Sequence, residues 1–323
     1  MTLAPQGTDV KKLFFPGLIL VFILSFKPPF ATPEPSYQIA IIKSRSMDPY
    51  EQAAQGIQQE FKAEGIGARF EFYNIEGDIE KGAEISKKIQ ESNSDLVFTI
   101  GTEAFKAVSG HLNQIPMVTA MLVDPLGEDV ITKDQDNVYG AYLKVPFEKQ
   151  FSVIKKIIPQ LNPIAMICWC QPGKKLGAVE AQPQAEQAGI SLVAVKIDSV
   201  KNLGTSLDEA LRQSKALLIA FDNDLYNSAT SKELLLFSAR NKFPIIAFSP
   251  NYVKAGALFS LSSNFSENGK SAAMLAVSVL RKEPIKEPFV PTSKVWVAWN
   301  KNVAEAFGIK LSSEGEKEIN EYV

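Results

Sequence analysis

Polar side chains follow several apolar runs of the sequence, at positions where predicted strands end. The clearest are Thr102, Asp124, Asp222 and Ser249. When strands run parallel, ligands bind outside their carboxyl ends, so the loops that follow the strands are the candidate binding loops. A hydroxyl at the start of a helix can receive an anion, and a carboxylate can pair with an ammonium group across a cleft. This inventory favours a small ligand that carries both charges.

The loop after the first predicted strand offers hydroxyl groups next to a helix N-terminus. Ser44 and Ser46 precede a helix that should begin near Pro49, so these hydroxyls and the free backbone amides could bind a carboxylate. Capping of that helix by Asp48, with Pro49 in the first helical position, explains the same residues equally well. Thr102 has the same two interpretations: it either caps the helix that it begins or binds an anion.

Two acidic loops are candidates for an ammonium group. Asp124 precedes Pro125, so it either pairs with a ligand cation or forms an Asx-Pro turn. In the triplet from 222 to 224 we predict that Asp222 binds the amino group, with Asn223 beside it, and that Asp224 caps the next helix. A calcium loop would need six to eight oxygen ligands, so we predict no metal site.

Three aromatic residues lie near predicted strand ends or crossings between lobes. Tyr142, Trp169 and Tyr252 could wall a small-molecule pocket, although core packing explains each one taken alone. Gly140 and Ala141 belong to a strand-like stretch that should act as a hinge, with Gly140 allowing close backbone approach or a change of dihedral angle.

The elements that must position these residues alternate between strands and helices. This alternation predicts parallel sheets built from βαβ units. Strands are predicted at 39–42, 68–74, 96–100, 117–121, 164–168, 191–197, 216–221, 245–248, within 256–264, and at 295–299. Helices are predicted at 49–64, 79–91, 103–110, 174–188, 202–213, 225–241, 267–281 and 302–307. The second half repeats the pattern of the first, so we predict two doubly wound α/β lobes hinged by strand crossovers.

The lobe boundaries follow from where the pattern restarts. The predicted N-terminal lobe comprises 32–143 plus 263–291, and the C-terminal lobe comprises 144–262 plus 292–323. The Pro-rich stretch 284–291 should be a surface linker. Residues 1–31 resemble a signal peptide, because lysines precede an apolar run that is shorter than the roughly 20 residues of a membrane span; retention as an anchor is the alternative.

Composition and missing motifs exclude several classes of function. With a net charge of −2 and no cluster of basic residues, the chain is not expected to bind nucleic acid. It contains no G-x-G-x-x-G, Walker A or G-x-S-x-G pattern, and we predict no catalytic residues and no cofactor. The single histidine, His111, should lie in a surface loop. Cys168 and Cys170 should be buried on one strand face, too far apart for a disulfide.

Several short segments, in order, resemble one family of ABC-transporter substrate-binding proteins, which includes components of tryptophan and tyrosine importers. The segments are Ile100-Gly101-Thr102-Glu103-Ala104, Val123-Asp124-Pro125-Leu126-Gly127, Asn137-Val138-Tyr139-Gly140, Asp222-Asn223, 243–249, 253–258 and Gly269. The resemblance covers residues 37–310. The sequence departs from the family pattern at Pro250, where an acidic residue is common, and in the loop 44–50.

The resemblance implies a type-I periplasmic binding fold that closes on its ligand. It implies a soluble periplasmic protein, expected to be a monomer, that binds an amino acid or a derivative and hands it to an ABC permease with its ATPase in the inner membrane. A periplasmic sensor that signals to a separate membrane partner would use the same fold, and a secreted α/β enzyme is a further alternative.

Overall fold

The computed structural model describes residues 37–124, 130–131, 135–170, 177–222 and 224–323, and its strands form two sheets. The predicted signal peptide lies outside the described residues. The first sheet has the order β11-β5-β4-β3-β1-β2, and all its strands are parallel. Its strands are β1 (Tyr37–Lys43), β2 (Ala68–Asn74), β3 (Leu96–Ile100), β4 (Met117–Leu122), β5 (Val138–Tyr142) and β11 (Phe289–Pro291).

Helices cover both faces of the first sheet. They are α1 (Asp48–Ala63), α2 (Gly82–Glu91), α3 (Thr102–Val108) and α9 (Phe265–Leu280). Helices α1 and α9 cross closely because each carries a glycine at the contact: a Cβ at Gly269 would lie 2.0 Å from the Ala53 carbonyl oxygen, and one at Gly56 would lie 2.1 Å from that of Ser266. Apolar side chains such as Ile41 and Phe98 fill the layer beneath these helices.

The second sheet repeats this architecture and adds strands at one edge. Its order is β13-β12-β10-β9-β8-β6-β7, parallel except where β12 runs antiparallel to β10. The strands are β6 (Ile164–Trp169), β7 (Leu192–Ile197), β8 (Ala216–Leu218), β9 (Ile245–Ala247), β10 (Phe259–Ser263), β12 (Val295–Trp299) and β13 (Glu321–Tyr322). The helices are α4 (Phe147–Ile157), α5 (Gly177–Ala188), α6 (Leu203–Gln213), α7 (Ser228–Asn241), α8 (Pro250–Lys254) and α10 (Lys301–Phe307). The predicted fold class is confirmed.

The chain crosses between the two sheets three times, near 143–146, 264 and 292–294, and hydrogen bonds join the three crossings. Thr292 donates from both its backbone N–H and its hydroxyl to the Tyr142 carbonyl oxygen, at 3.2 and 3.1 Å. The Ser263 hydroxyl donates to the Leu143 carbonyl oxygen at 2.8 Å. Asn268, which is fully buried, donates to the Thr292 hydroxyl oxygen and accepts from the Met121 backbone N–H.

Three local predictions need correction. The predicted linker 284–291 contains β11, which pairs with β5; Pro291 is tolerated because it stands at the last position of an edge strand. The strand predicted at 216–221 ends at Leu218. The helix predicted from 225 begins at Ser228, because the Asn227 side chain accepts hydrogen bonds from the first amides of α7. None of the helices in the described ranges is both long and apolar enough to cross a membrane.

Candidate functional site

A cavity of about 800 Å³ opens where the carboxyl ends of strands from both sheets meet. It is lined by residues at the ends of β4, β6 and β9, in the loop after β8 and in the crossings between the sheets. Its lining is more apolar than polar, as small-molecule sites usually are. Residues that line it include Asp48, Gln52, Asp124, Lys144, Phe147, Trp169, Glu180, Phe221, Asp222, Leu225, Tyr226, Phe248, Ser249, Lys254 and Glu321.

The second sheet supplies a rigid acidic corner to this cavity. Trp169, the last residue of β6, donates from its indole Nε1 to Asp222 Oδ2 at 2.8 Å. Asp222 Oδ1 accepts the backbone N–H groups of Asp224 and Leu225, each at 2.9 Å. Asp222 therefore organises the turn after β8 while it faces the cavity. The prediction that Asp224 caps the next helix is wrong, because the cap of α7 is Asn227.

An aromatic series forms a second part of the wall. The Phe221 ring, which is 41% exposed, meets Phe248 edge to face at 5.5 Å between centroids. Phe248 meets Tyr252 in the same manner at 5.1 Å, and the Tyr252 hydroxyl is hydrogen-bonded to Ser231 Oγ at 2.7 Å. Tyr252 is not among the lining residues, so it supports the wall from behind. Ser249 lines the cavity and also caps α8, accepting from the Asn251 N–H at 3.3 Å.

Charged side chains line the cavity with an acidic excess. Among the described lining residues, five are acidic and two are lysines. Lys144 Nζ lies between Asp124 Oδ2, at 3.1 Å, and Glu180 Oε1, at 3.2 Å. Burial by itself would lower the pKa of Lys144, but the hydrogen bonds and negative charges of these two carboxylates raise it overall, so Lys144 stays protonated.

A smaller cavity of about 360 Å³ adjoins the first at this ion pair. Asp124, Lys144 and Glu180 line both cavities. Tyr142 lines the smaller cavity and is not among the residues that line the larger one. Burial, followed by the negative charge of Asp124, raises the pKa of the Tyr142 hydroxyl, which remains a neutral hydrogen-bonding group.

The hydroxyls predicted on the first sheet lie apart from the cavity lining. Ser44 is fully buried, and its Oγ accepts the Ala104 backbone N–H at 2.9 Å, so it caps α3 from a distant loop. Ser46 Oγ accepts from the Asn74 side-chain amide. Thr102 is the first residue of α3 and is partly exposed. In this structure Ser44 therefore supports the backbone at the start of α3, and Ser46 is joined to a side chain at the end of β2.

The predicted hinge residues lie inside the first sheet. Gly140 and Ala141 are in β5, between β4 and β11. A Cβ at Gly140 would lie 2.6 Å from Thr119 Cγ2, so the glycine allows the neighbouring strand to pass closely. Its participation in domain motion remains a prediction.

Several residues of the cavity were missed by sequence reasoning. Lys144 and Glu180 gave no pattern signal, although Lys144 stands in the predicted boundary between lobes. Tyr226 lines the cavity and is 7% exposed, and its hydroxyl has no hydrogen-bond partner within the described ranges. Burial raises the pKa of this hydroxyl, which keeps its proton. Asn223, a predicted ligand residue, lies outside the described residues.

In the described part of the chain, no group of three or more His, Cys, Asp or Glu residues is placed to hold a metal ion. Both cysteines are free; Cys168 is buried, as predicted, but Cys170 is exposed because β6 ends at Trp169. His111 is exposed in a loop, as predicted.

The fold and the sequence both match proteins that bind solutes. A tyrosine-binding protein from Clostridioides difficile (strain R20291) is 21% identical over 262 residues, which cover 79% of this chain and 75% of the relative. The ligand-free, open structure of a substrate binding protein with adhesive properties from Clostridium difficile superposes with a TM-score of 0.70 at 20% identity, covering 89% of this chain and 99% of the other. An ABC domain in complex with L-Trp from Streptococcus pneumonia gives 0.54 at 23% identity, covering 88% and 100%.

These neighbours share the type-I periplasmic binding fold that the resemblance implied. Residues 38–322 match the family described as ABC transporter substrate binding protein. Proteins of this family act outside the cytoplasm, bind small solutes for ABC permeases and are not enzymes. Because the match spans nearly the whole chain beyond the N-terminal segment, this protein belongs to the ABC transporter substrate binding protein family.

Proposed function

We propose that this protein binds an amino acid with an aromatic or large apolar side chain in the cavity between its two sheets and delivers it for import. The observation that carries this proposal is the lining of the cavity, where aromatic rings stand beside isolated charged groups. Such a lining buries an apolar side chain and fixes a charged head group. The names of a tyrosine-binding relative and of an L-Trp complex support the same class of ligand.

Each wall of the cavity has a role in this proposal. The exposed face of Phe221 and the Trp169 ring would contact the side chain of the ligand, because aromatic surfaces bury large apolar groups at low entropic cost. Asp124 and Asp222 would attract the ammonium group, and the neighbouring Ser249 and Asn223 would add hydrogen bonds. Thr102 would contact the ligand only if the first sheet moves toward the second about the crossings near Gly140 and Ala141.

The same proposal specifies location and partners. The N-terminal residues 1–31 would direct secretion and be removed, which places a monomeric protein in the periplasm. Its partner would be an inner-membrane permease driven by an ATPase, and no nucleic acid is expected to bind. N-terminal sequencing of protein recovered from the periplasm of an expressing bacterium tests cleavage near Ala31 directly.

A binding screen tests the function itself. The secreted protein is heated with each amino acid, nucleoside, sugar and small organic acid, since a ligand raises stability by RT ln(1 + [L]/Kd). We expect L-tyrosine, L-tryptophan or both to raise the Tm and to be recovered unchanged. Consumption of the ligand would instead indicate an enzyme, and a response restricted to sugars or nucleosides would overturn the amino-acid proposal.

A matched pair of variants locates the site. Phe221→Ala removes an exposed ring from the cavity wall, and Leu236→Ala removes an exposed apolar side chain on α7, outside the cavity lining. We expect the first variant to weaken binding of the aromatic amino acid by about tenfold, from the loss of buried apolar contact, and the second to leave it unchanged. Equal affinities of the two variants would place the ligand elsewhere.

A further inference from the structure

The carboxylate of an amino-acid ligand needs a positively charged partner in this cavity. An amino acid carries a negative charge into a lining that already has an acidic excess. Ser44 and Ser46, which were predicted to bind a carboxylate, are not among the residues that line the cavity. Asp222 repels a carboxylate. A cation is therefore needed, because an unpaired charge is costly in a partly desolvated site.

Two lysines are available among the described lining residues, and they differ in depth. The Lys254 side chain is 59% exposed, and its Nζ lies 3.7 Å from Glu321 Oε1 at the rim. The Lys144 side chain is 30% exposed and lies at the junction of the two cavities. A charge-assisted hydrogen bond is stronger where water is excluded, so Lys144 is the better partner for a ligand anion.

The hydrogen bonds of Lys144 leave room for that partner. An ammonium group has three donors, and within the described ranges two of them point to Asp124 and Glu180. The Lys144 backbone N–H donates to the Val123 carbonyl oxygen at 2.9 Å, so the residue is fixed just beyond the carboxyl end of β4. Glu180, in α5, belongs to the second lobe. Lys144 therefore holds a positive charge between the two lobes with one donor left for a ligand.

We propose that Lys144 recognises the carboxylate of the ligand, with Asp124 beside it facing the ligand ammonium. An α-amino acid carries both charges on one carbon, so its head group can lie antiparallel against the adjacent charges of Asp124 and Lys144. This arrangement selects free α-amino acids over the corresponding amines and over acids without an amino group. The inference rests on the proposed function and specifies which residue determines its ligand class.

Amino acids and their decarboxylated counterparts distinguish a carboxylate site from a structural lysine. Titration calorimetry compares L-tyrosine with tyramine and L-tryptophan with tryptamine, for the wild type and for Lys144→Met. We expect the variant to bind the amino acid about tenfold or more weakly, the effect of losing one charge-assisted hydrogen bond. The amine should bind as well as before or more tightly, because the variant cavity is more negative. Lys156→Met is the control, because Lys156 is also ion-paired, with Glu318 at 2.7 Å, but is not among the residues that line the cavity; it should leave both affinities unchanged.

A second variant keeps the test decisive if Lys144→Met unfolds. Glu180→Gln removes one competitor for the Lys144 donors and changes a side chain that is 56% exposed. We expect tighter binding of the amino acid, by about twofold to fivefold, since a charge repulsion of less than about 1 kcal/mol is relieved. A purely structural salt bridge would give no such gain.

The outcomes separate this inference from the proposed function. Suppose that the wild type binds the amino acids, but Lys144→Met lowers the affinities for amino acid and amine equally or leaves both unchanged. The carboxylate site is then wrong and the proposed function stands. The inference is also overturned if the wild type binds tyramine or tryptamine as tightly as the amino acid. If the wild type binds none of the four compounds, the aromatic amino-acid proposal fails first.

Discussion

The loops that follow the strands of the two sheets carry similar polar residues but use them differently. On the first sheet, Ser44 and Ser46 accept hydrogen bonds from α3 and from the end of β2, and they are not among the residues that line the cavity. On the second sheet, Asp222 and Ser249 cap turns or helices and also line the cavity. A polar residue at a strand end is therefore a site residue only when its side chain reaches the cavity after local backbone groups are satisfied.

The tight packing around Gly101 explains the first-sheet behaviour. Gly101 precedes α3 with a φ of 95°, in the region that favours glycine. A Cβ there would lie 2.5 Å from Ser44 Oγ and 2.7 Å from Tyr50 Cε1. The loops after β1 and β3 thus close on each other, and no space for a ligand remains between them at this point.

Replacing that glycine should give the largest effect on stability. Gly101→Ala adds a methyl group to a closed contact and forces an unfavourable φ, which together should cost about 2–4 kcal/mol. Gly110→Ala is the matched control, since a Cβ at Gly110 meets nothing within 4 Å. It should change stability by less than about 0.5 kcal/mol. Urea unfolding measures both, and equal midpoints would mean that the first-sheet loops have room to admit a ligand.

The fold could be predicted from the sequence more completely than the site. Runs rich in apolar and β-branched residues located β2 (68–74), β3 (96–100) and β12 (295–299) at their observed bounds. Only β3 is buried along its whole length; no residue of the edge strand β2 is buried, and β12 runs antiparallel to β10. The strand Phe289–Pro291 was missed because it is short and proline-rich, and its partner β5 is almost 150 residues away. Pairing over that distance leaves no local pattern.

The site was predicted only where the position of a residue decides its role. Asp124, Trp169, Asp222 and Ser249 were chosen because they follow strands, and all four line the cavity. Ser44 was chosen on the same ground, but its hydroxyl caps a helix 60 residues away, a contact that sequence spacing does not reveal. Lys144 and Glu180 come together only when the second lobe forms. Ion pairs that form only in the tertiary structure, such as that of Lys144 with Glu180, could not be predicted from the sequence.

Ser44 and Ser249 test the contrast between a strand-end serine outside the cavity lining and one that lines the cavity. Ser44→Ala should lower stability by about 1–2 kcal/mol, because a fully buried amide of Ala104 loses its acceptor, and should leave ligand affinity unchanged. Ser249→Ala should lower stability by less than about 1 kcal/mol, since the hydrogen bond by which Ser249 caps α8 is 3.3 Å long. It should also weaken ligand binding, because Ser249 lines the cavity. Thermal unfolding and calorimetry on both variants give the four values. A loss of affinity in Ser44→Ala at unchanged stability would reverse the assignment.

The ion pairs of Glu267, beside the crossings between the sheets, should have the smallest effect on stability. Glu267, in the first turn of α9, pairs with Lys270 at 2.8 Å and faces Lys294 at 3.8 Å. The hydrogen bond from Lys270 is the main cause that lowers the pKa of Glu267, against the effect of burial. A carboxylate with a lowered pKa in the folded state stabilises the protein above its unfolded pKa of about 4.3, and this contribution is lost as the pH falls through the folded value.

Glu267→Gln should therefore lower stability at pH 7 by less than about 1 kcal/mol, and the difference from wild type should vanish toward about pH 3. Glu316→Gln changes an exposed glutamate that forms no ion pair within the described part of the chain, so it is the control and should show no such trend. Chemical unfolding between pH 3 and pH 7 provides the measurement. If the Glu267 difference persists at low pH, its side chain acts at the crossing through packing rather than charge, and the crossings would behave like the closed first-sheet loops.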